Sequence, residues 1–170
     1  MMNKKAIFCL LFLGLLLTAG YISAEDYTSI FEARIPDDFK VVAVAGGVAP
    51  WTPINKVEID GKGNGVYYTM PPDKRSKGTF VEVSRFKLEE YGLRFVFEAV
   101  GMNNFFNLKE SYISKAVLDG SFAELTVTEN KKTHRVRTQN MAVESFDNIM
   151  IAINVVTPKD NKVYYNEILR

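Results

Sequence analysis

One histidine, His134, and one cysteine, Cys9, are the whole stock of imidazole and thiol in this chain of 170 residues. Nucleophilic catalysis needs a base beside a serine, threonine or cysteine, so any such centre would have to be built on His134. Its neighbourhood, Thr133-His134-Arg135-Val136, alternates like a strand and puts the ring on the same side as core valines. That predicts a histidine packed at the end of a hairpin rather than a catalytic base. A zinc site would need carboxylate partners at spacings the chain does not offer. No catalytic residue, metal or cofactor is expected.

Carboxylates are the remaining route to acid–base work. Glu89-Glu90 are adjacent on a predicted helix, so their side chains diverge by about 100° and cannot converge on one substrate atom. Glu58 and Asp60 alternate with Val57 and Ile59, which places them on the polar face of a hairpin as solvated groups. Asp60-Gly61-Lys62-Gly63-Asn64 lacks the further acids and terminal glutamate of a calcium loop and reads as a tight turn. Its glycines join two strands instead of opening a helix, and no phosphate-binding G-x-x-x-x-G-K-[ST] occurs.

Binding chemistry is better represented. Gly46-Gly47-Val48-Ala49-Pro50-Trp51-Thr52-Pro53 sets the only tryptophan between two prolines in a loop. Tryptophan carries a large contact area, and flanking prolines reduce the freedom lost on docking. The favoured reading folds Trp51 back to cap the sheet, because an exposed tryptophan is uncommon unless it is used. The other reading leaves it out as an anchor, with Pro50 and Pro53 beside it. Two basic clusters, Lys74-Arg75-Ser76-Lys77 and the group Lys131, Lys132, Arg135 and Arg137, could meet an anionic partner. A solvated face is the plainer expectation for both. The candidate partner-binding residues are therefore Trp51, Pro50, Pro53, Arg75, Lys77 and Arg135.

The elements that must position these residues follow from periodicity. Residues 39–45 form a valine-rich strand ended by Gly46-Gly47, and residues 54–60 pair through the turn 61–65 with a strand over 66–70. Residues 71–78 read as a polar loop and 79–83 as a further strand. The period then lengthens: Ser84 serves as N-cap to a helix whose stripe is Leu88, Tyr91, Phe95 and Ala99 with Val96 and Val100, stopped by Gly101. The aromatics of residues 103–108 plug one end of the core. A second hairpin pairs 122–128 with 133–139, in the register Thr128 to Thr133, Val127 to His134, Leu125 to Val136 and Glu124 to Arg137. A last helix over 142–155 presents Val143, Phe146, Met150 and Ile153, and Pro158 ends it. The tail Val163-Tyr164-Tyr165 adds a short edge strand or packs loosely. This order argues for an α+β fold, a mainly antiparallel sheet of hairpins with two helices on one face.

Residues 1–24 read as a signal peptide: Lys4 and Lys5, an apolar stretch over 6–17, and the small-residue exit Ile22-Ser23-Ala24. Cleavage is expected after Ala24. The alternative, a retained anchor, is disfavoured because the apolar stretch falls short of the roughly 20 residues a spanning helix needs. A lipoprotein role for Cys9 fails on the bulky Phe8 and the short apolar segment before it. Residues 25–38 are then a lead-in segment and 39–170 a single α+β domain, secreted or periplasmic. Losing Lys4 and Lys5 takes the balance of basic to acidic residues from 21 against 20 to 19 against 20. Near-neutral charge supplies no case for nucleic acid or a stable membrane association. With Cys9 gone the domain is disulfide-free and must rely on its core.

Several pieces carry a distant likeness: Gly46-Gly47, Asn104-Phe105-Phe106-Asn107-Leu108, Asp119-Gly120, and the hairpin Leu125-Thr126-Val127-Thr128 with Lys132-Thr133-His134-Arg135-Val136. In these the chain resembles small exported domains of the emfourin type and related uncharacterised secreted families, some linked to inhibition of metalloproteases. The likeness spans residues 39–153 and implies a shared fold more than a shared activity. The segment 71–78 departs from the pattern, and no inhibitory loop is carried over. The expected function is an exported, non-enzymatic protein-binding domain, as a protease inhibitor or an envelope accessory factor. The alternative is a structural subunit of an extracellular or cell-surface assembly, self-associating through valine-rich edge strands and the aromatic tail.

Overall fold

The computed structural model describes residues 33–114 and 120–163. The chain divides into two units, Met1–Ala33 and Arg34–Arg170, and all the described residues but Ala33 belong to the second. The expected signal peptide over 1–24, most of the lead-in, Asp119 and the tail tyrosines Tyr164 and Tyr165 lie outside the described residues. No helix among the described residues is long and apolar enough to cross a membrane.

Seven strands form one sheet: β1 (Lys40–Gly47), β2 (Ile54–Asp60), β3 (Asn64–Met70), β4 (Val81–Lys87), β5 (Ser111–Ile113), β6 (Ser121–Glu129) and β7 (Lys132–Gln139). Their order across the sheet is β4-β3-β2-β1-β6-β7-β5, antiparallel throughout except where β5 runs parallel to β7. The alternation in the sequence becomes a division of faces. Val41, Ala43 and Ala45 of β1, Val57 and Ile59 of β2, and Ala123, Leu125 and Val127 of β6 are buried on one side, while Val42, Val44 and Thr126 lie half-buried on the other. β5 was not anticipated, because three residues beside a long neighbour carry too little alternation to register as a strand.

The second hairpin has the register read from the sequence, with Thr128 opposite Thr133, Val127 opposite His134, Leu125 opposite Val136 and Glu124 opposite Arg137. Its turn is tighter than a four-residue loop. Glu129 pairs with Lys132, and Asn130 and Lys131 both take left-handed backbone at φ 49° and 64°, as a two-residue type I′ turn demands. The Asp38 carboxylate accepts both turn N–H groups, Asn130 at 3.0 Å and Lys131 at 2.6 Å, which offsets the strain of a lysine in that region.

That arrangement has a pH signature. Burial raises the Glu129 carboxyl above its ordinary 4.5, and the nearby Asp38 charge adds to the rise while Lys132 offsets part of it. The fold therefore disfavours ionised Glu129, and the wild type gains stability as pH falls through the raised value towards 4.5. Glu129→Gln is expected to be more stable than wild type at pH 7, with the advantage gone below 4.5, as paired urea titrations would show. An advantage that persists unchanged in acid would contradict this origin.

Two helices, α1 (Glu90–Met102) and α2 (Glu144–Val156), complete one core with the inner face of the sheet. Gly92 lies against Val156, and Asn148 donates to Asn103 Oδ1 at 3.1 Å, so the pair runs antiparallel. In α2 the expected Phe146, Met150 and Ile153 are fully buried together with Ile149, and Thr157 closes the end by donating from its hydroxyl to the Ile153 carbonyl at 2.6 Å.

The first helix corrects the sequence reading. Ser84 belongs to β4, which runs on to Lys87, and α1 starts only at Glu90 after Glu89. Its buried stripe is Gly92, Leu93, Val96 and Val100, while Tyr91 is 79% and Phe95 47% exposed. Aromatics spaced four apart imitate a core stripe, but the adjacent Leu93-Val96-Val100 stripe has the same period and faces the sheet. Leu88 is buried, though ahead of the helix. Phe105 plugs the core as expected, from a short 3-10 turn over Phe105–Asn107, and Phe106 packs partly buried beside it. The segment read as a loop over 71–78 is a 3-10 helix, Pro72–Lys77. Val163 is buried at the end of the described tail.

Candidate functional site

The loop between β1 and β2 is a built structure. Pro50 and Trp51 occupy the centre of a turn that closes when the Thr52 N–H donates to the Ala49 carbonyl at 3.2 Å. Proline suits the first central position because its φ is preset for it. The Thr52 hydroxyl donates to the same carbonyl at 2.7 Å, and the Val48 N–H donates to the Gly120 carbonyl at 2.7 Å, tying the loop to the start of β6.

Arg75 completes the turn from the Pro72–Lys77 helix. Its guanidinium Nη1 donates to the carbonyls of Ala49 and Thr52, the latter at 3.1 Å, and to Thr52 Oγ1 at 3.3 Å, while Nη2 reaches the Gly47 carbonyl at 3.2 Å. A planar fork with fixed donors can bridge several carbonyls at once, which an ammonium cannot do in the same geometry. The two glycines before the turn make the approach possible. A Cβ on Gly47 would lie 2.5 Å from Thr52 Oγ1, and one on Gly46 would lie 2.8 Å from the Pro53 carbonyl oxygen.

Trp51 projects from the tip of this clamped turn and is 71% exposed. The expectation that it folds back to cap the sheet is therefore overturned. Pro50 and Pro53 are exposed with it. The free basic cluster expected over 74–77 is also corrected, since Arg75 is half-buried and committed to loop carbonyls while Lys74 and Lys77 remain exposed.

Arg135 does not join this group. It stands on β7, two strands from β1, on the face away from the helices, and ion-pairs with Glu124. The Arg137 opposite Glu124 instead lies over the Phe122 ring at 4.8 Å. Lys56 on that face lies 4.0 Å over Tyr68, and Glu58 takes ion pairs from Lys40 at 3.0 Å and Lys56 at 2.8 Å. Burial pushes the Glu58 carboxyl up, but the bonds and charges of Lys56 and Lys40 outweigh it and hold it below the ordinary range. Asp60 organises the first hairpin turn, accepting from the Lys62 and Asn64 N–H groups at 2.9 Å each.

His134 shares its surroundings with Phe105 and Phe106, whose ring centres lie 5.4 Å and 6.1 Å away, and its Nε2 lies 2.9 Å from the Leu108 carbonyl. Among the described residues no three of histidine, cysteine, aspartate and glutamate gather as metal ligands. A shallow groove at the far end of the sheet from Trp51 is lined by Lys62, Lys87, Glu89 and Arg94. There the Lys87 ammonium donates to the Lys62 carbonyl and to Asn64 Oδ1, bracing the first hairpin turn.

The outer strands have features that discourage pairing. β4 bears exposed Val81 and Val83, but it is irregular opposite Tyr67 and Tyr68 and carries Lys87 and the two-bonded Arg85–Glu82 ion pair, with bonds of 2.7 Å and 2.8 Å. Bulges and charges are the usual protection of a sheet edge. At the other side β5 has three residues. The one sequence signal that could have found the clamp is the proximity of Gly-Gly, a Pro-Trp turn and a later arginine, but nothing in that spacing says they meet.

The chain matches no protein-family model and no curated protein.

Proposed function

We propose that this chain acts as an exported, non-enzymatic binding domain that docks a protein partner through Trp51. One observation carries the reading: a 71% exposed tryptophan stands on a turn whose backbone is held by Arg75, Thr52 and Gly120. A large aromatic in a preset position gains its contact area without the cost of ordering a loop, which is how interface hot spots concentrate affinity. Protease inhibition and service as an envelope accessory factor are two forms this role can take. Assembly through the sheet edges is the weaker reading, because β4 is irregular and charged and β5 is short.

The test is recovery of partners from the native extracellular fraction by wild type and Trp51→Ala. A hot-spot residue carries about 2 kcal/mol or more, so the variant is expected to bind about thirtyfold more weakly. Its melting temperature is expected to stay put, since an exposed side chain contributes within about 0.5 kcal/mol of stability. Equal recovery by both proteins would remove Trp51 as the anchor.

A further inference from the structure

We infer that the segment received by the Trp51 turn is acidic: a stretch of a partner protein that pairs carboxylates with Lys74 and Lys77 while an apolar side chain covers the indole. This rests on the reading of Trp51 as a docking anchor. The Arg75 clamp brings the Pro72–Lys77 helix against the turn, and with it a group of Lys74, Arg75 and Lys77 against the single acid Asp73. Both lysines are exposed, and among the described residues neither has a carboxylate within ion-pair reach.

The hydrogen-bonding chemistry points the same way. Arg75 occupies the carbonyls of Gly47, Ala49 and Thr52, and Pro50 and Pro53 have no N–H to offer. The side-chain groups exposed on the turn and on the Pro72–Lys77 helix are the indole N–H, two ammonium groups and the Ser76 hydroxyl against the one carboxylate of Asp73, so donors and positive charge predominate. A surface of donors and positive charge selects a partner rich in acceptors and negative charge. An anionic lipid surface shares that charge but fits less well. Two lysines supply only about 1 kcal/mol each at such a surface, and a single indole adds little buried area beside them.

The probe is a displayed library of random dodecapeptides, panned on the wild-type chain and on Trp51→Ala. Peptides enriched on wild type are then titrated by fluorescence, for which Trp51, the chain's only tryptophan, is the reporter. Acidic peptides are expected to dominate and to shift the indole emission to the blue. Their affinity is expected to fall about tenfold in Lys74→Glu/Lys77→Glu and to weaken with salt. Enriched peptides that are neutral or basic, or an affinity indifferent to the charge reversal, would overturn the acidic preference while leaving the anchor standing. Peptides that bind Trp51→Ala as well as wild type would overturn both. No enrichment over Trp51→Ala would overturn the inference. So would an emission shift produced by phosphatidylglycerol-containing vesicles, and not by phosphatidylcholine alone, in place of the peptides.

Discussion

Phe105→Ala is expected to cost about 3–5 kcal/mol of folding stability. Phe105 is fully buried, and it seals the core between the end of α1 and the β6–β7 hairpin. Its ring meets Phe106 edge-on at 5.8 Å and His134 at 5.4 Å. The short turn that carries it is held by an Asn104 backbone at φ 50° and by the Asn107 and Leu108 N–H groups donating back to Asn104 and Phe105 at 2.9 Å and 3.1 Å. A turn so fixed cannot follow its side chain inward, so truncation leaves a cavity. For a domain of this size the melting temperature should fall by roughly 10–15 °C. Phe106→Ala is expected to cost less, because that ring is only partly buried. Thermal and urea unfolding check both. A loss below about 1 kcal/mol for Phe105→Ala would show that the site collapses and that the ring is not the plug.

Arg75→Ala is expected to weaken partner binding about ten- to thirtyfold without touching the residue that makes the contact. The guanidinium serves the carbonyls of Gly47, Ala49 and Thr52, and hydrogen bonds from a charged donor are worth about 1.5–3 kcal/mol where they are shielded. Arg75 is half-buried, so water replaces part of that loss, and the melting temperature should drop by only a few degrees. The larger consequence is local. A turn freed of its clamp must be ordered again at each encounter, and that cost appears in affinity. Time-resolved anisotropy of Trp51 separates this from a general loss of stability, because local motion of the ring should rise in a protein that remains folded. Arg75→Lys should behave like the alanine variant, since an ammonium cannot span the same carbonyls. Full binding by Arg75→Lys with unchanged anisotropy would show that charge, and not the fork, is what the turn requires.

The parts of the fold legible in the sequence are those encoded between near neighbours. β2 has the bounds 54–60 that Val57 and Ile59 and the following glycines imply, and the second hairpin has its register because the strands flank a short turn. The core face of α2 is legible for the same reason, through Phe146, Met150 and Ile153. The start of α1 was not legible. The expected switch from period two to the helical period, at Ser84, falls where the β3–β4 pairing shifts register, and two apolar stripes on one helix compete until the sheet selects between them. β5 is a strand only because β7 lies beside it.

The candidate site divides along the same line. Composition alone made His134 the sole imidazole and Trp51 the sole indole, and two prolines beside the ring marked a stiff loop. Alternation alone put Glu58 and Asp60 on the face away from the core. Whether Trp51 turned inward or outward, and whether Arg75 was a free cation or a clamp, was decided by contacts between residues that stand 23 to 28 positions apart. The physical reason is that Arg75 bonds chiefly to backbone carbonyls, which every residue carries. Such a partner leaves no mark on residue types, and only folding the chain brings the two together.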